Sequence, residues 1–331
     1  MPIGKMRLFV QEEAWPLKNV FRIARGAKTE ARVVTVTLLD DNGNQGRGEC
    51  VPYGRYNETP LTVMAQIESV RKTVENGITL DQLQDLMPAG AARNALDCAM
   101  WDLTAKRQGR RVWELANLPE PNSVESLFTI SIDTHEAMLE AAIAAKKFTK
   151  LKIKIGSDSD VNVIPQIHAA RPDALMVVDA NESLSENGLK SLIALSRANN
   201  VELIEQPFKE HFDQALLSIA APITICADES FHTAADVERC VAKYDAINIK
   251  LDKTGGFTEA LRCIYEARKA GQKIMFGCMV GTSLVTAPAV ILASLCDWVD
   301  LDGPILLQKD RKDALNINGA IIEQPTPIIW G

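Results

Sequence analysis

The sequence predicts an α/β fold, a barrel of parallel strands behind a smaller α+β unit, on three observations. In Leu151-Lys152-Ile153-Lys154-Ile155 a period of two puts both lysines on one face of a strand and the three aliphatics on the other. Short apolar runs then end, one after another, in a charged residue: Met176-Val177-Val178-Asp179, Val201-Glu202-Leu203-Ile204-Glu205, Ile223-Thr224-Ile225-Cys226-Ala227-Asp228 and Ala246-Ile247-Asn248-Ile249-Lys250. The steps from Lys154 to Asp179, Glu205, Asp228 and Lys250 are 25, 26, 23 and 22 residues, each long enough for a strand, a loop, a helix and a return. The C-terminal strand ends of a parallel barrel open onto one mouth, so these five charged groups converge there. Two ammonium groups on one strand face repel each other and need acidic company, which such a mouth supplies.

Taken in order, the first third forms its own unit. Arg7 to Val10 is a short strand, and Ala31 to Asp40 a longer one that turns through Asp41-Asn42-Gly43-Asn44 onto Gln45 to Cys50. Helices follow at Thr62 to Glu75, capped near Thr59-Pro60, and at Ala89 to Lys106, ended by Gly109. Leu115 to Ser126 is polar and proline-rich and marks the domain boundary. The expected division is 1–122 for the α+β part, 123–305 for the barrel and 306–331 for a C-terminal segment. Leu127 to Ile132 is the first barrel strand and the Lys-x-Lys run the second. Strands near Leu175, Glu202, Ile223, Ala246, Lys273 and Trp298 complete eight, with helices such as Thr134 to Phe148, Gly188 to Asn199 and Thr258 to Ala270 between them.

Composition narrows the function. The chain of 331 residues is 47% hydrophobic and 24% charged with a net charge of −7, and no polybasic cluster favours nucleic acid or an anionic membrane as a partner. Cys50, Cys98, Cys226, Cys240, Cys263, Cys278 and Cys296 are odd in number and form no Cys-x-x-Cys pair, which argues against a disulfide framework or a zinc site. With no signal peptide visible in Met1 to Trp15, a cytoplasmic location is expected. Ile274 to Cys296 carries no charge over 23 positions, long enough to span a bilayer. Gly277, Gly281, Pro288 and four hydroxyl residues interrupt it, so a buried strand, turn and helix is the expectation.

Asp179, Glu205 and Asp228 together make an oxygen-only donor set, suited to a hard cation such as Mg²⁺. Singly, an acid at a strand end serves as a helix cap or a solvated loop residue; in register and flanked by lysines, three make a metal site. A solvated surface position is the ordinary place for a lysine, but the alternation sends Lys152 and Lys154 inward. There Lys154 is poised to act as a general base.

These residues carry a family pattern. Lys152-Ile153-Lys154, Asp179-Ala180-Asn181, Ile204-Glu205-Gln206-Pro207, Ala227-Asp228-Glu229-Ser230 and Ile249-Lys250-Leu251, in this order, resemble the muconate lactonizing subgroup of the enolase superfamily. The helix Ala92 to Lys106, with Asn94-Ala95, Asp97, Ala99 and Trp101-Asp102, resembles that group's capping-domain helix. The resemblance implies a (β/α)7β TIM-like barrel with an α+β capping domain, the tail after about Leu306 returning to the cap. It also implies Mg²⁺ on the three acids, a substrate carboxylate bound to it, and an enediolate formed as the α-proton leaves. Lys154 and Lys250, from the second and sixth strands, then stand on opposite sides of one carbon for 1,1-proton transfer, with Lys152 as electrostatic support.

Specificity rests on other positions. Asp300-Leu301-Asp302 alternates like a strand end and resembles the ammonium-binding pair of dipeptide epimerases, although Asp302-Gly303-Pro304 also reads as a turn. Arg25, in Ile23-Ala24-Arg25-Gly26, is similar to the arginine that reaches the substrate's side-chain carboxylate in L-Ala-D/L-Glu epimerases, with a solvated surface arginine as the alternative. The resemblance also implies substrate contacts from Tyr53, Thr129 and Met279, and a loop from Gly48 to Tyr56 that closes over the mouth. One departure stands out, Gly281, where many members carry an acid.

The implied activity is epimerisation of L-Ala-D/L-Glu, a small dipeptide of cell-wall origin, by an enzyme that could be a homo-oligomer. Cycloisomerisation, o-succinylbenzoate synthesis and N-acylamino acid racemisation are alternatives within the group, whose substrates lack the free ammonium. A Schiff-base lyase using one barrel lysine, and a non-catalytic barrel that binds peptide or metal, are the alternatives outside it.

Overall fold

The structure, a computed structural model, describes residues 4–331. Its first part is an antiparallel sheet of β1 (Met6–Ile23), β2 (Gly26–Asp40) and β3 (Gln45–Cys50), packed against α1 (Pro60–Glu75), α2 (Leu80–Leu86) and α3 (Ala91–Gln108). The turn after β2 is held by Asp40, whose Oδ1 accepts from the backbone N–H groups of Asn42 and Asn44, with Gly43 at φ 84°. Helix α1 starts in a capping box between Thr59 and Thr62 with Pro60 at its first position, and α3 ends at Gly109 in the left-handed region. Two glycines let α3 lie directly on β3. A Cβ on Gly46 would sit 2.3 Å from the Ala99 carbonyl oxygen, and one on Gly48 2.1 Å from that of Ala95.

The first hairpin is much longer than the apolar pattern suggests. Strand β1 runs to Ile23 and pairs with β2 across a register shift between Pro16 and Phe21, so the expected four-residue strand is only its inner end. Charged residues and Pro16 hide the rest from a hydrophobic period. That outer half is held by the barrel, with Leu17, Ala31 and Leu307 packed together and Leu17 bridged to Leu307. Helix α2, which was not expected, begins at a capping box between Thr79 and Gln82.

After α4 (Val112–Leu115) and the short β4 (Val124–Glu125) come eight parallel strands: β5 (Phe128–Ile130), β6 (Lys150–Lys154), β7 (Leu175–Asp179), β8 (Val201–Glu205), β9 (Thr224–Ala227), β10 (Ala246–Ile249), β11 (Lys273–Gly277) and β12 (Trp298–Asp300). The ring closes where Leu127 N–H donates to the Val299 carbonyl at 2.8 Å. Helices α5 (His135–Ala144), α6 (Val163–Ala170), α7 (Glu186–Ser196), α8 (Val237–Val241), α9 (Leu251–Thr254), α10 (Phe257–Lys269), α11 (Ser283–Ala293) and α12 (Gly303–Leu306) lie between or after the strands. A run of tight 3₁₀ turns over Glu210–Ser218 follows β8. The uncharged segment resolves into β11 and α11, every residue of α11 buried, and no helix of the described residues is long and apolar enough to cross a membrane.

The barrel interior changes character with a step of two along each strand. Val177, Leu203, Cys226, Met275 and Trp298 form an apolar floor. Two residues further on, Asp179, Glu205, Asp228, Gly277 and Asp300 stand at the mouth. The alternate residues, such as Met176, Val178 and Ile204, pack outward under the helices.

The C-terminal segment first forms a hairpin of β13 (Ile317–Asn318) and β14 (Ile321–Ile322), and β14 pairs with β4. It then reaches α3, where the buried Trp330 donates its indole N–H to the Cys98 carbonyl at 3.0 Å and Gly331 N–H donates to Asp102 Oδ1 at 2.8 Å.

Candidate active site

The mouth of the barrel opens into a cavity of about 340 Å³ between the strand ends and the first hairpin, lined by Lys152, Lys154, Asp228, Lys250, Asp300 and Asp302 from below and by Arg25 and Tyr53 from above. Beneath it, Asp179, Glu205 and Asp228 are fully buried, with one carboxylate oxygen of each within 4.8 Å of the others. Three buried anions this close require compensation. Lys152 supplies it to Asp300 at 2.6 Å, Glu205 at 2.7 Å and Asp179 at 3.1 Å. Lys154 donates to Asp179 Oδ2 at 2.5 Å and Lys250 to Asp228 Oδ2 at 2.7 Å.

Titration follows from those contacts. Burial alone would lower Lys152 and Lys250, but the carboxylates around them outweigh it, Asp300 first for Lys152 and Asp228 first for Lys250, and hold both above the usual lysine range. Burial would raise Asp228, yet Lys250 and Lys253 hold it well below the usual carboxylate range. Glu205 goes the other way, pushed up to about 7 by burial and by Asp179.

The trio fits a hard cation. All the donors are carboxylate oxygens, and Glu205 Oε2, though 2.7 Å from Lys152 Nζ, is buried without an aligned hydrogen bond. The opposing Glu205 Oε1 is fixed by Asn248 Nδ2 at 2.7 Å.

The backbone just past two of these strands is strained. Asn181 and Glu182 after β7, and Gln206 after β8, have φ of 43°, 68° and 36°, values rare for residues with side chains. Each is held by side-chain bonds. Gln206 Oε1 accepts from the backbone N–H groups of Asp228 and Ser230, tying the second acidic strand end to the third. Glu182 accepts from Arg55 through Nε at 3.0 Å and Nη2 at 2.9 Å.

Lys154 and Lys250 come from β6 and from the residue after β10, four strands apart in an eight-strand ring and hence on opposite walls. Asp300 ends β12, whereas Asp302 lies beyond the strand at the start of α12, so the expected strand alternation stops between them. Both still line the cavity. Asp300 Oδ1 is buried with no hydrogen-bond partner, and Asp302 Oδ2 accepts from Thr129 N–H at 2.7 Å, with burial and then Asp300 pushing Asp302 up to about 6. Met279 and Tyr53 line the cavity, but Thr129 lines the neighbouring groove and reaches this one through its backbone.

Arg25 occupies the tight turn between β1 and β2. It donates to Glu229 Oε1 at 2.5 Å, to Tyr53 Oη at 3.2 Å and to the Asn181 carbonyl at 3.1 Å. Gly281 is packed against the cap, where an added Cβ would lie 2.7 Å from Val285 Cγ1 and 3.1 Å from Glu49 Oε1. The acid in that corner is Glu49, fully buried and bound by Thr282 and Arg311.

Several contributors were not expected from the sequence. Lys253 is fully buried, and its Nζ donates to Asp228 Oδ1 and the Asp228 carbonyl at 2.6 Å each and to the Asn248 carbonyl at 2.9 Å. Its distance of three residues from Lys250 was a usable signal, since a helical turn there returns it to the same side. Asn248 shares the inward face of β10 with Lys250 by the step of two. Glu229 gave no signal beyond its place beside Asp228.

A model for the mandelate racemase / muconate lactonizing enzyme N-terminal domain matches residues 5–116, and one for the enolase C-terminal domain-like family matches residues 135–326. The chain is 44% identical over 310 residues to L-Ala-D/L-Glu epimerase of Escherichia coli (strain K12), covering 92% of this chain and 96% of that one. It is 41% identical over 298 residues to N-acetyl-D-glutamate racemase of Pseudoalteromonas sp, covering 89% and 94%. A crystal structure of an enolase family member from Agrobacterium tumefaciens with homology to dipeptide epimerases, with bound sodium and L-Ala-L-Glu, superposes with a TM-score of 0.96 at 41% identity, covering 98% of this chain and all of that one.

Proposed function

The chain belongs to the mandelate racemase / muconate lactonizing enzyme family of the enolase superfamily, and on that premise we propose that it is a Mg²⁺-dependent dipeptide epimerase. It inverts the α-carbon of the C-terminal residue of L-Ala-D/L-Glu, a peptide fragment of cell-wall origin. The seven free thiols suit a cytoplasmic enzyme.

The observation that carries this reading is the pair Lys154 and Lys250 on opposite walls above three buried carboxylates. Asp179, Glu205 and Asp228 would hold Mg²⁺, which supplies positive charge to a substrate carboxylate as its α-proton leaves. One lysine, as the free amine, takes the α-proton, and the ammonium on the other wall returns a proton to the opposite face. Lys152, fixed between Asp300, Glu205 and Asp179, stays cationic and steadies the developing negative charge. Asp300 and Asp302 receive the substrate's α-ammonium, and Arg25 faces its side-chain carboxylate.

The similarity to an N-acetyl-D-glutamate racemase supports a second reading, racemisation of an N-acylated amino acid. The buried, unpartnered Asp300 Oδ1 supports the dipeptide, because a neutral acetamide brings no charge to it.

Lys154→Ala and Lys250→Ala, incubated separately with L-Ala-L-Glu and L-Ala-D-Glu in D₂O with Mg²⁺, test the chemistry. Neither should interconvert the isomers. Lys250→Ala should still exchange the α-proton of the L-isomer and Lys154→Ala that of the D-isomer. Exchange of one and the same isomer by both variants would sink the two-base reading. Full turnover in excess chelator would remove the metal from it.

A further inference from the structure

The cations around the cavity are nearly all spoken for. Lys152 and Lys154 pair with Asp179, Lys250 with Asp228, Arg25 with Glu229, Arg55 with Glu182 and Arg32 with Glu12. Lys28, which also lines the cavity, is the exception among the described residues: no carboxylate forms an ion pair with it. Glu30, two residues along the same strand face, does not do so either.

Its position is specific. Lys28 lies on β2 opposite Phe21, just past the turn that carries Arg25. Its Nζ stands 5.3 Å from the centre of the Tyr53 ring, while the Arg25 guanidinium carbon stands 5.9 Å from the same centre. Tyr53 Oη accepts from Arg25 through Nε and Nη2. The two cations therefore converge on one aromatic side chain at the cavity wall. Partial desolvation at the cavity wall lowers the pKa of the Lys28 ammonium, with no anion to offset it.

Charge balance shows what Lys28 adds. Arg25 and Arg55 are matched by Glu182 and Glu229, so those four residues are together neutral. Lys28 adds to them a cation that no carboxylate holds in an ion pair. A carboxylate on the substrate side chain then finds one ammonium at the cavity wall that is not already engaged by an anion.

We propose that Lys28 is a specificity-determining residue, its ammonium joining Arg25 beside Tyr53 to hold a negatively charged side chain on the residue whose α-carbon is inverted. The proposal rests on the epimerase reading and adds a second cation, besides Arg25, for the acidic side chain. A neutral side chain of the same shape brings no charge to Lys28, which stands at the open rim of the cavity.

The test compares L-Ala-L-Glu with its neutral isostere L-Ala-L-Gln on the wild-type enzyme, Lys28→Met and Lys28→Arg. The ratio of kcat/KM for Glu over Gln should fall about fivefold in Lys28→Met, the upper size of one exposed charge contact, with the loss carried by KM. Lys28→Arg should restore most of the ratio. A ratio unchanged in Lys28→Met, or lost equally in Lys28→Arg, would overturn the role of Lys28 while leaving the epimerase intact. Wild-type enzyme that turned over neither dipeptide would instead defeat the epimerase reading, and this proposal with it.

Discussion

Replacing Lys253 by methionine keeps the length and apolar stem of the side chain and removes one buried charge. In the folded protein that charge makes three contacts, two to Asp228 at 2.6 Å and one to the Asn248 carbonyl at 2.9 Å, with none of the side chain exposed. Removing one partner of a buried ion pair costs about 3–5 kcal/mol. Here Lys250 remains on the other Asp228 oxygen at 2.7 Å, so the lower end, about 3 kcal/mol, applies. For a chain of this size that corresponds to a fall in melting temperature of roughly 5 °C, read in a thermal melt in chelator. The same substitution frees Asp228 to turn, so Mg²⁺ affinity measured by calorimetric titration should weaken about tenfold, or about 1.4 kcal/mol. A purely structural lysine would move the melt and leave the titration alone. Unchanged Mg²⁺ affinity, or a melt within about 1 °C of wild type, would refute the argument that Lys253 holds Asp228 in place.

Two further outcomes follow from buried acids. Asp252 accepts from Val51 N–H at 3.0 Å and Asn94 Nδ2 at 2.8 Å, and burial pushes its carboxyl up to about 7. Its folded value lies above its unfolded one, so the folded state binds the extra proton, and this group's contribution falls as pH rises from about 4 through about 7. Asp252→Asn keeps an oxygen for both donors, and relative to wild type it should gain about 2 kcal/mol between pH 5 and pH 8 in urea midpoints; a constant difference would refute the assignment. At the other end of the cavity, N-acetylation of L-Ala-L-Glu should reduce kcat/KM at least about 100-fold, because Asp300 and Asp302 are left facing a neutral group. Equal rates on both forms would move the assignment to N-acylamino acid racemisation.

Local order carried much of this protein. Alternation by two turned Lys152 and Lys154 to one side, and regular steps of a strand plus a helix put Asp179, Glu205, Asp228 and Lys250 at corresponding strand ends. Those features depend on the geometry of one strand and on the length of one β-α unit, so a linear chain displays them. Caps and turns such as Thr59-Pro60 and Asp41-Asn42-Gly43 are equally local.

The remainder depended on contacts between distant segments. The outer half of β1 has no apolar period of its own, and it is ordered against β2 and Leu307. Arg25 is recognisable as a residue, but its engagement with Glu229, 204 positions away, exists only once the hairpin leans over the barrel. Trp330 meets Cys98 across 232 positions, and Asp252 meets Val51 across 201. Which charges are compensated and which, like that of Lys28, are not is likewise a sum over partners from many elements. By itself the sequence determined the strand periods, the order of the units and the chemistry at each strand end, because these are written within a few residues of one another. Tertiary structure alone decided the pairing of buried charges and the closure of the cap on the mouth, because burial and Coulomb energy depend on distances that no local pattern specifies.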